Sequence, residues 1–447
     1  MTTLSAHDII SAVQSGTLSP VTAIKDALQR IEEHAALGAL QEVFAEEALK
    51  AAAALAKQKD LSKLPLAGLP FLIKDTIPVF GHPMRVGSRA TSNSPSRQDH
   101  EVVRRLRDAG AIILGLTTVP ELCVFATTDS PAETTRNPWN PERTPGGSSG
   151  GTGAAVAAGI VPVAHGTDGM GSIRIPAANN GVFGIKPGRG TVPANLGGDS
   201  WGGMAENGPL ASTVADAALV LSVMAGKPEL AIVSEPAAPL RIGVVPATTS
   251  FLVRLDPEWK KSLLATADAL REAGHTVEVT KFPYPANPIP MFARWFAGVA
   301  KDAEGLDEAK LQRRTLRHVK LGKRALKKGW VKKRDTDRLE ADARAFFTDH
   351  DILLTPMLAR SAPKAKQWHR YSWLRNIWSN LQYAPFAAPW NMVGWPAASV
   401  PAGFDANTGM PTAVQIVAPP NGESLILGLA AQIERLRPWP RTAPQRN

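Results

Sequence analysis

The stretch Gly146-Gly147-Ser148-Ser149-Gly150-Gly151-Thr152-Gly153 restricts the fold of this chain more than any other segment. Glycine adopts positive φ without steric cost, so such a run marks a tight backbone path. Two further stretches belong with it. Leu69-Pro70-Phe71-Leu72-Ile73 is almost wholly apolar, reads as a buried strand, and ends in Lys74-Asp75. Gly166-Thr167-Asp168-Gly169-Met170-Gly171-Ser172-Ile173-Arg174 holds a third serine. Together the three supply a nucleophile and a means to activate it. A serine hydroxyl is a weak nucleophile at neutral pH and needs a base in contact. A lysine serves as that base only when burial lowers its pKa, because desolvation disfavours the ammonium form.

Several other uses of a glycine-rich loop fail. A phosphate-binding loop needs Gly-Lys-Ser/Thr after the glycines, and the next lysine is Lys186. A dinucleotide fingerprint fits neither the spacing nor the strand–loop–helix context. Gly146-Gly147-Ser148-Ser149-Gly150 does match Gly-x-Ser-x-Gly, a nucleophile elbow. That elbow needs a strand directly before the serine, and Pro141-Glu142-Arg143-Thr144-Pro145 is a poor one. It also needs a downstream histidine, and none of His275, His318 or His369 sits in an obvious loop motif. Read singly, Lys74 would be a strand-end lysine reaching solvent, and Ser172 an N-cap for a helix over 173–178. Asp168 and Arg174 read as an ion pair bracing the loop.

Composition matches a globular chain: 44% hydrophobic and 20% charged over 447 residues, enough for one large core or two to three ordinary domains. A single cysteine, Cys123, rules out an intramolecular disulfide and a thiolate metal cluster, as suits a reducing compartment. Cys123 itself reads as a small buried residue, with pocket lining as the alternative. The first residues lack a basic stretch followed by an apolar run, and apolar stretches such as 217–226 fall short of the roughly 20 residues a bilayer requires. A cytoplasmic protein without a membrane span is expected. The net charge of +10 is local, because residues 310–334 hold twelve Lys or Arg and no acidic residue. Leu311, Leu316, Val319 and Leu326 are spaced among these charges, so the segment reads as a basic amphipathic helix or helix pair with a solvated face. No nucleic-acid motif accompanies it, and no nucleic-acid partner is expected.

Along the chain, the first 60 residues read as helices, with Ser19-Pro20 as an N-cap and first-turn pair. Residues 66–75 read as a buried strand, 101–109 as a helix ended by Gly110, and 111–114 as the next strand. Residues 154–158 form a small-residue helix able to pack closely, 161–164 a short strand, and 213–225 and 257–273 helices. Strands alternating with helices predict an α/β sheet fold. No linker-like run or internal repeat divides the chain, so one continuous unit is expected.

These landmarks resemble the amidase signature family. Residues 146–187 carry its glycine/serine-rich block almost throughout. Pro65-Leu66-Ala67-Gly68-Leu69-Pro70 leading to Lys74-Asp75 looks like its lysine strand. Arg105-Leu106-Arg107-Asp108-Ala109-Gly110-Ala111-Ile112-Ile113 and Pro120-Glu121 look like the helix and strand that follow. Asp351-Ile352-Leu353-Leu354-Thr355-Pro356 and Gly394-Trp395-Pro396-Ala397-Ala398-Ser399-Val400-Pro401 look like its C-terminal landmarks. The resemblance implies a single large domain over 1–447, α/β in class, with a mixed β-sheet core covered by helices. Its catalytic core would span about 65–225 and a variable, helical substrate region about 230–345. It further implies Ser172 as nucleophile, Ser148 as a bridging serine with a cis peptide, and Lys74 as base. Backbone N–H groups of Gly169, Met170, Gly171 and Ser172 would form the oxyanion hole, with Ser149, Asp168 and Arg174 as loop support. No cofactor or metal is implied.

The chain departs from the family pattern at three places. Met170-Gly171-Ser172 stands where Gly-Gly-Ser is usual, Asn179-Asn180 where an aromatic–Cys pair is frequent, and Leu116-Thr117-Thr118 where Lys-Thr-Asn is usual. Candidate pocket walls are Cys123, Trp201 and Trp378, together with Trp295, Phe296, Trp373, Tyr383 and Trp390. An amidase acting on a small-molecule amide with an apolar, aromatic or long aliphatic acyl group is expected. The alternatives are an ester or carbamate hydrolase using the same triad, or an amidotransferase-type subunit supplying ammonia to a partner. The resemblance is compatible with a homodimer.

Overall fold

The computed structural model describes residues 4–248, 252–285 and 287–444. The apolar run before Lys74 forms strand β2 (Pro70–Lys74), buried at every position. It is parallel to β3 (Ile112–Thr117), also wholly buried, and β3 pairs antiparallel with β1 (Leu40–Val43). The larger sheet runs β4 (Val163–Asp168), β6 (Glu206–Ala211), β5 (Phe183–Lys186), β10 (Ala397–Phe404), β11 (Pro411–Val417), β9 (Ile352–Pro356), β7 (Arg241–Val244) and β8 (Thr276–Val279). It is antiparallel from β4 as far as β9 and parallel from β9 to β8, so the sheet is mixed, in a single-domain α/β fold.

The two sheets meet where β2 passes β4. The Lys74 N–H donates to His165 Nδ1 at 3.3 Å, and His165 Nε2 lies 2.8 Å from Asn207 Oδ1. Those contacts require a neutral ring with its proton on Nε2. Burial favours that form, drawing the histidine pKa down to about 3.

Local signals place most helices. The Ser19 side chain accepts from the Val21 N–H and Pro20 opens the helix Pro20–Glu33. The helix Glu101–Asp108 stops just before Gly110, whose φ is 96°. The small-residue helix Gly150–Ala157 packs as closely as its composition suggested. A Cβ on Gly151 would stand 2.4 Å from Ala39 O and 2.5 Å from Thr118 N. Helices Val214–Ala225 and Pro257–Glu272 lie where periodicity put them.

Two expectations need correction. The first 60 residues are not all helical, since β1 lies among them. The region 230–345 is not helical throughout, because it adds β7 and β8 to one end of the main sheet. The basic segment spreads over the helix Arg313–Lys327 and the start of Lys333–Asp349. Val319 points inward while Arg317, Lys320, Lys323 and Arg324 are exposed, a solvated helix face. Arg314 is the buried exception and pairs with buried Asp129 at 2.9 Å. Among the described residues, no helix is long and apolar enough to cross a membrane.

The close approach at Gly151 is directly testable. Gly151→Ala should lower stability by about 1–3 kcal/mol, the usual range for overpacking, read as a lower urea midpoint at unchanged slope. An unchanged midpoint would show that the helix has room to retreat.

Candidate active site

The lysine strand delivers its last side chain into the interior. Lys74 is fully buried, so it does not reach solvent. Its Nζ lies 2.8 Å from Ser148 Oγ, 2.7 Å from Thr167 Oγ1 and 3.2 Å from Thr167 O. All three partners are neutral. Burial therefore lowers the Lys74 pKa, against the smaller upward pull of nearby Cys123 and Asp168.

Ser148 arrives on the glycine loop, through a cis Gly147–Ser148 peptide. The next residue ties that loop to its neighbours. Ser149 Oγ donates to Thr167 O at 3.2 Å, and the Ser149 N–H donates to Ser172 O at 3.2 Å. Ser172 itself is half-buried and does not cap the helix Arg174–Asn180, whose N-cap position is Ile173 without a side-chain bond.

The loop between Asp168 and Arg174 folds around one carboxylate. Asp168 Oδ1 accepts from the Gly171 N–H at 2.5 Å, Arg174 Nη2 at 3.0 Å and Asn391 Nδ2 at 2.9 Å. Its Oδ2 accepts from Ile173 N at 3.2 Å, Arg174 N at 3.4 Å and Arg174 Nε at 2.9 Å. Burial pushes the Asp168 carboxyl up, but Arg174, Lys186 and Asn391 outweigh it and hold the group well below the usual carboxylate range. Arg174 continues to Ala387 O at 3.1 Å and Gln415 Oε1 at 2.7 Å. The ion pair expected from sequence is thus present. The oxyanion set is corrected at one member, because the Gly171 N–H is already committed to Asp168.

Ser172 lies where two cavities adjoin, and Cys123 and Trp201 line both. The first cavity is aromatic and apolar, walled by Phe125, Tyr284, Phe292, Trp295 and Trp378, with Met170 also in its lining. The second, about 370 Å³, contains Ser148, Thr167 and a group of other hydroxyls. Burial raises the Cys123 thiol pKa, opposed by Lys74 and a hydrogen bond with Ser148. Of the candidate aromatics, Trp201, Trp295 and Trp378 line a cavity. Tyr383 and Trp390 are fully buried core instead, Tyr383 donating to Ala126 O. Phe296 and Trp373 each meet the His318 ring edge-to-face. Asn179 and Asn180 are structural, Asn180 Nδ2 donating to Pro145 O at 2.8 Å and Pro176 O at 2.7 Å.

Sequence reasoning missed Thr167, although strand periodicity puts it on the same face of β4 as His165, and both contact Lys74. It also missed Phe292 and Tyr284, whose place in the cavity depends on how the 284–302 segment packs. Among the described residues, no group of three or more His, Cys, Asp or Glu is placed to hold a metal ion.

Fold and site together are those of an enzyme acting on carbon–nitrogen amide bonds. The chain belongs to the amidase family, whose model, described as Amidase, matches residues 22–427. AmiB2 of Mycobacterium tuberculosis is 37% identical over 441 residues, covering 96% of this chain and 95% of that protein. An acylamidase of Rhodococcus erythropolis is 33% identical over 466 residues, covering 99% and 97%. Among solved structures, 6-aminohexanoate cyclic dimer hydrolase complexed with substrate superimposes with a TM-score of 0.86 at 29% identity, covering 99% of this chain and 98% of that one.

Removing the charge of Asp168 leaves Arg174 buried and unpaired. Asp168→Asn should cost about 3–5 kcal/mol, seen as a large drop in the denaturation midpoint. The folded-state pKa is depressed, so this stabilisation is present above the unfolded value of 3.8 and is lost as pH falls below it. A variant as stable as the parent at neutral pH would show that the pair does not hold the loop.

Proposed function

We propose that the chain hydrolyses a carboxylic amide through an acyl-enzyme on Ser172, with Ser148 relaying protons between Ser172 and Lys74. The observation that carries this reading is the fully buried Lys74 amine, 2.8 Å from Ser148 Oγ, with no charged group among its hydrogen-bond partners. A buried ammonium without a carboxylate partner is disfavoured, so the amine is held neutral and basic. Its two N–H bonds are taken by Thr167 O and Thr167 Oγ1, which leaves the nitrogen lone pair for the Ser148 hydroxyl proton.

The steps balance with water as the only co-reactant. Ser172 Oγ attacks the amide carbon and its proton passes to Ser148 Oγ, while the Ser148 proton passes to Lys74 Nζ. The oxyanion is met by backbone N–H groups among Gly169, Met170 and Ser172, each such donor being worth about 3–4 kcal/mol in the transition state. Collapse breaks the C–N bond, and the relay runs backwards to protonate the leaving nitrogen. Water then attacks the ester by the same route and releases the acid. In this scheme Ser149, Asp168 and Arg174 hold the loops and exchange no proton.

The aromatic cavity supports an apolar, aromatic or long aliphatic acyl group, because such a surface gains little from a polar one. The names of the relatives, an acylamidase and a cyclic-dimer hydrolase, support cleavage of linear or cyclic amides.

Ser172→Ala and Lys74→Ala should each lower amide hydrolysis about a thousandfold or more. Lys74→Arg should be as inactive, since a guanidinium does not deprotonate. A fluorophosphonate should add once, with peptide mapping placing the adduct on Ser172. Near-normal turnover in any of these variants, or an adduct on Ser148, would sink the assignment. The pH profile gives a separate check. Lys74 has a lowered pKa and must be neutral to act, so the rate should fall on the acid side as it takes up a proton. A rate independent of pH from weakly acidic to alkaline solution would exclude a lysine base.

A further inference from the structure

The two cavities that adjoin at Ser172 differ in chemistry, and the direction of proton transfer distinguishes their roles. We propose that the second cavity receives the leaving amine of the substrate and that Asp302 binds a cationic group carried by that amine. This inference rests on the Ser172–Ser148–Lys74 reading above.

In that reading the proton reaching the leaving nitrogen comes from Ser148. The nitrogen must therefore face Ser148 when the C–N bond breaks. Ser148 lines the second cavity and Gly147 the first. The loop before the nucleophile divides the same way, with Met170 facing the first cavity and Gly169 the second. The acyl group thus extends into the aromatic cavity and the amine substituent into the other. About 370 Å³ there gives room for an aliphatic chain of several atoms.

The walls of that cavity are suited to a polar amine. Thr76, Thr91, Ser92, Ser94 and Ser96 contribute hydroxyls. Among the described residues, Thr76 Oγ1 has no hydrogen-bond partner. Asp302 brings a carboxylate into the same wall. It stands at the end of the helix Ile289–Asp302 and is half-buried. Its Oδ2 accepts from Trp201 Nε1 at 2.6 Å and its Oδ1 from the Gly198 N–H at 3.0 Å. Each oxygen keeps a further lone pair. The adjacent Lys301 is paired with Asp199 instead. Among the described residues, no cation forms an ion pair with Asp302. Burial and Asp199 raise its carboxyl, and only the Trp201 and Gly198 donors oppose them. Carboxylates taken out of water are normally paired. Here the missing partner would be the ligand.

Asp302 also holds the wall between the cavities. Trp201 has a φ of 56°, and its ring packs on two glycines, a Cβ on Gly169 falling 2.7 Å from Trp201 Cε3 and one on Gly298 2.7 Å from its Cγ. The one carboxylate thus fixes the partition through Oδ2 and presents charge to the amine side.

The test measures binding to the Ser172→Ala protein by calorimetry, using three amides built on a phenylbutyl unit. N-(3-aminopropyl)-4-phenylbutanamide ends in an ammonium on the amine side, and N-butyl-4-phenylbutanamide replaces that ammonium with a methyl group. In N-(4-phenylbutyl)-4-aminobutanamide the aryl and ammonium ends are exchanged. The aminopropyl amide should bind about tenfold or more tighter than the other two, the scale of a charged hydrogen bond. Asp302→Asn in the same protein should reduce its advantage over the butyl amide to about threefold or less. Equal binding of the aminopropyl and butyl amides would overturn the proposal without recourse to a variant at 302. Preference for the exchanged amide would overturn it as well, as would an advantage undiminished in a folded Asp302→Asn protein. Failure of the underlying reading shows differently, as acid and amine products accumulating in the Ser172→Ala samples.

Discussion

The buried pair of Asp168 and Arg174 is the contact on which the site depends. Six hydrogen bonds converge on the Asp168 carboxylate, three of them from the backbone N–H groups of Gly171, Ile173 and Arg174. Arg174 passes the restraint on to Gln415 in β11 and to Ala387 and Asn391 beside it. An ion pair in the interior adds little net stability, because desolvation offsets attraction. Its contribution is geometric. It bends the chain at the end of β4 so that Gly169 and Met170 face different cavities and Ser172 stands where they adjoin.

The same interior treats a second cation in the opposite way. Arg174 meets a carboxylate, whereas Lys74 meets only Ser148 and Thr167 oxygens and has its pKa lowered. Both side chains are fully buried, so exposure does not separate them. Partner charge does. Lys186 shows an intermediate case: burial and the positive Arg174 lower it to about 8, while the Glu206, Asp168 and Glu423 carboxylates resist. The proposed role of Lys74 as a base rests on this difference, an acid partner being withheld from it. His165 acts on the backbone instead, since its neutral ring accepts the Lys74 N–H and fixes the end of β2 against β4.

Much of this was legible in the sequence where local physics decides. The run before Lys74 had to be buried, and glycines around Ser148 and Ser149 had to allow close contact. Ser19-Pro20 had to open a helix. Strand β1 escaped notice because Leu40–Val43 is four residues long, alternates only between half-buried and exposed, and follows a helical stretch. Thr167 was legible in principle from its alternation with His165. The aromatic residues were not. Trp295 lines the cavity and Trp390 lies in the core, yet both are tryptophans set among apolar residues near a proline that opens their helix. What separates them is which neighbouring element covers each face, and that is a property of the assembled fold. The Gly171 N–H was unreadable for a related reason, because its acceptor depends on the turn that Arg174 imposes.

The three positions before Ser172 are constrained unequally, and this bears on the Met170 departure. Gly169 cannot gain a side chain without striking the Trp201 ring, and Gly171, at φ 112°, would drive one into Ala387 and Ile175. Position 170, between them, has a half-buried side chain that lines the aromatic cavity and packs against the core. Its side chain takes no part in the six hydrogen bonds to the Asp168 carboxylate. A methionine there adds a flexible, polarisable surface to the cavity that Ser172 also lines. A methionine in place of glycine thus acts on the space of the aromatic cavity beside Ser172, while the contact between Ser148 and Lys74, which the proposed relay uses, lies in the lining of the other cavity.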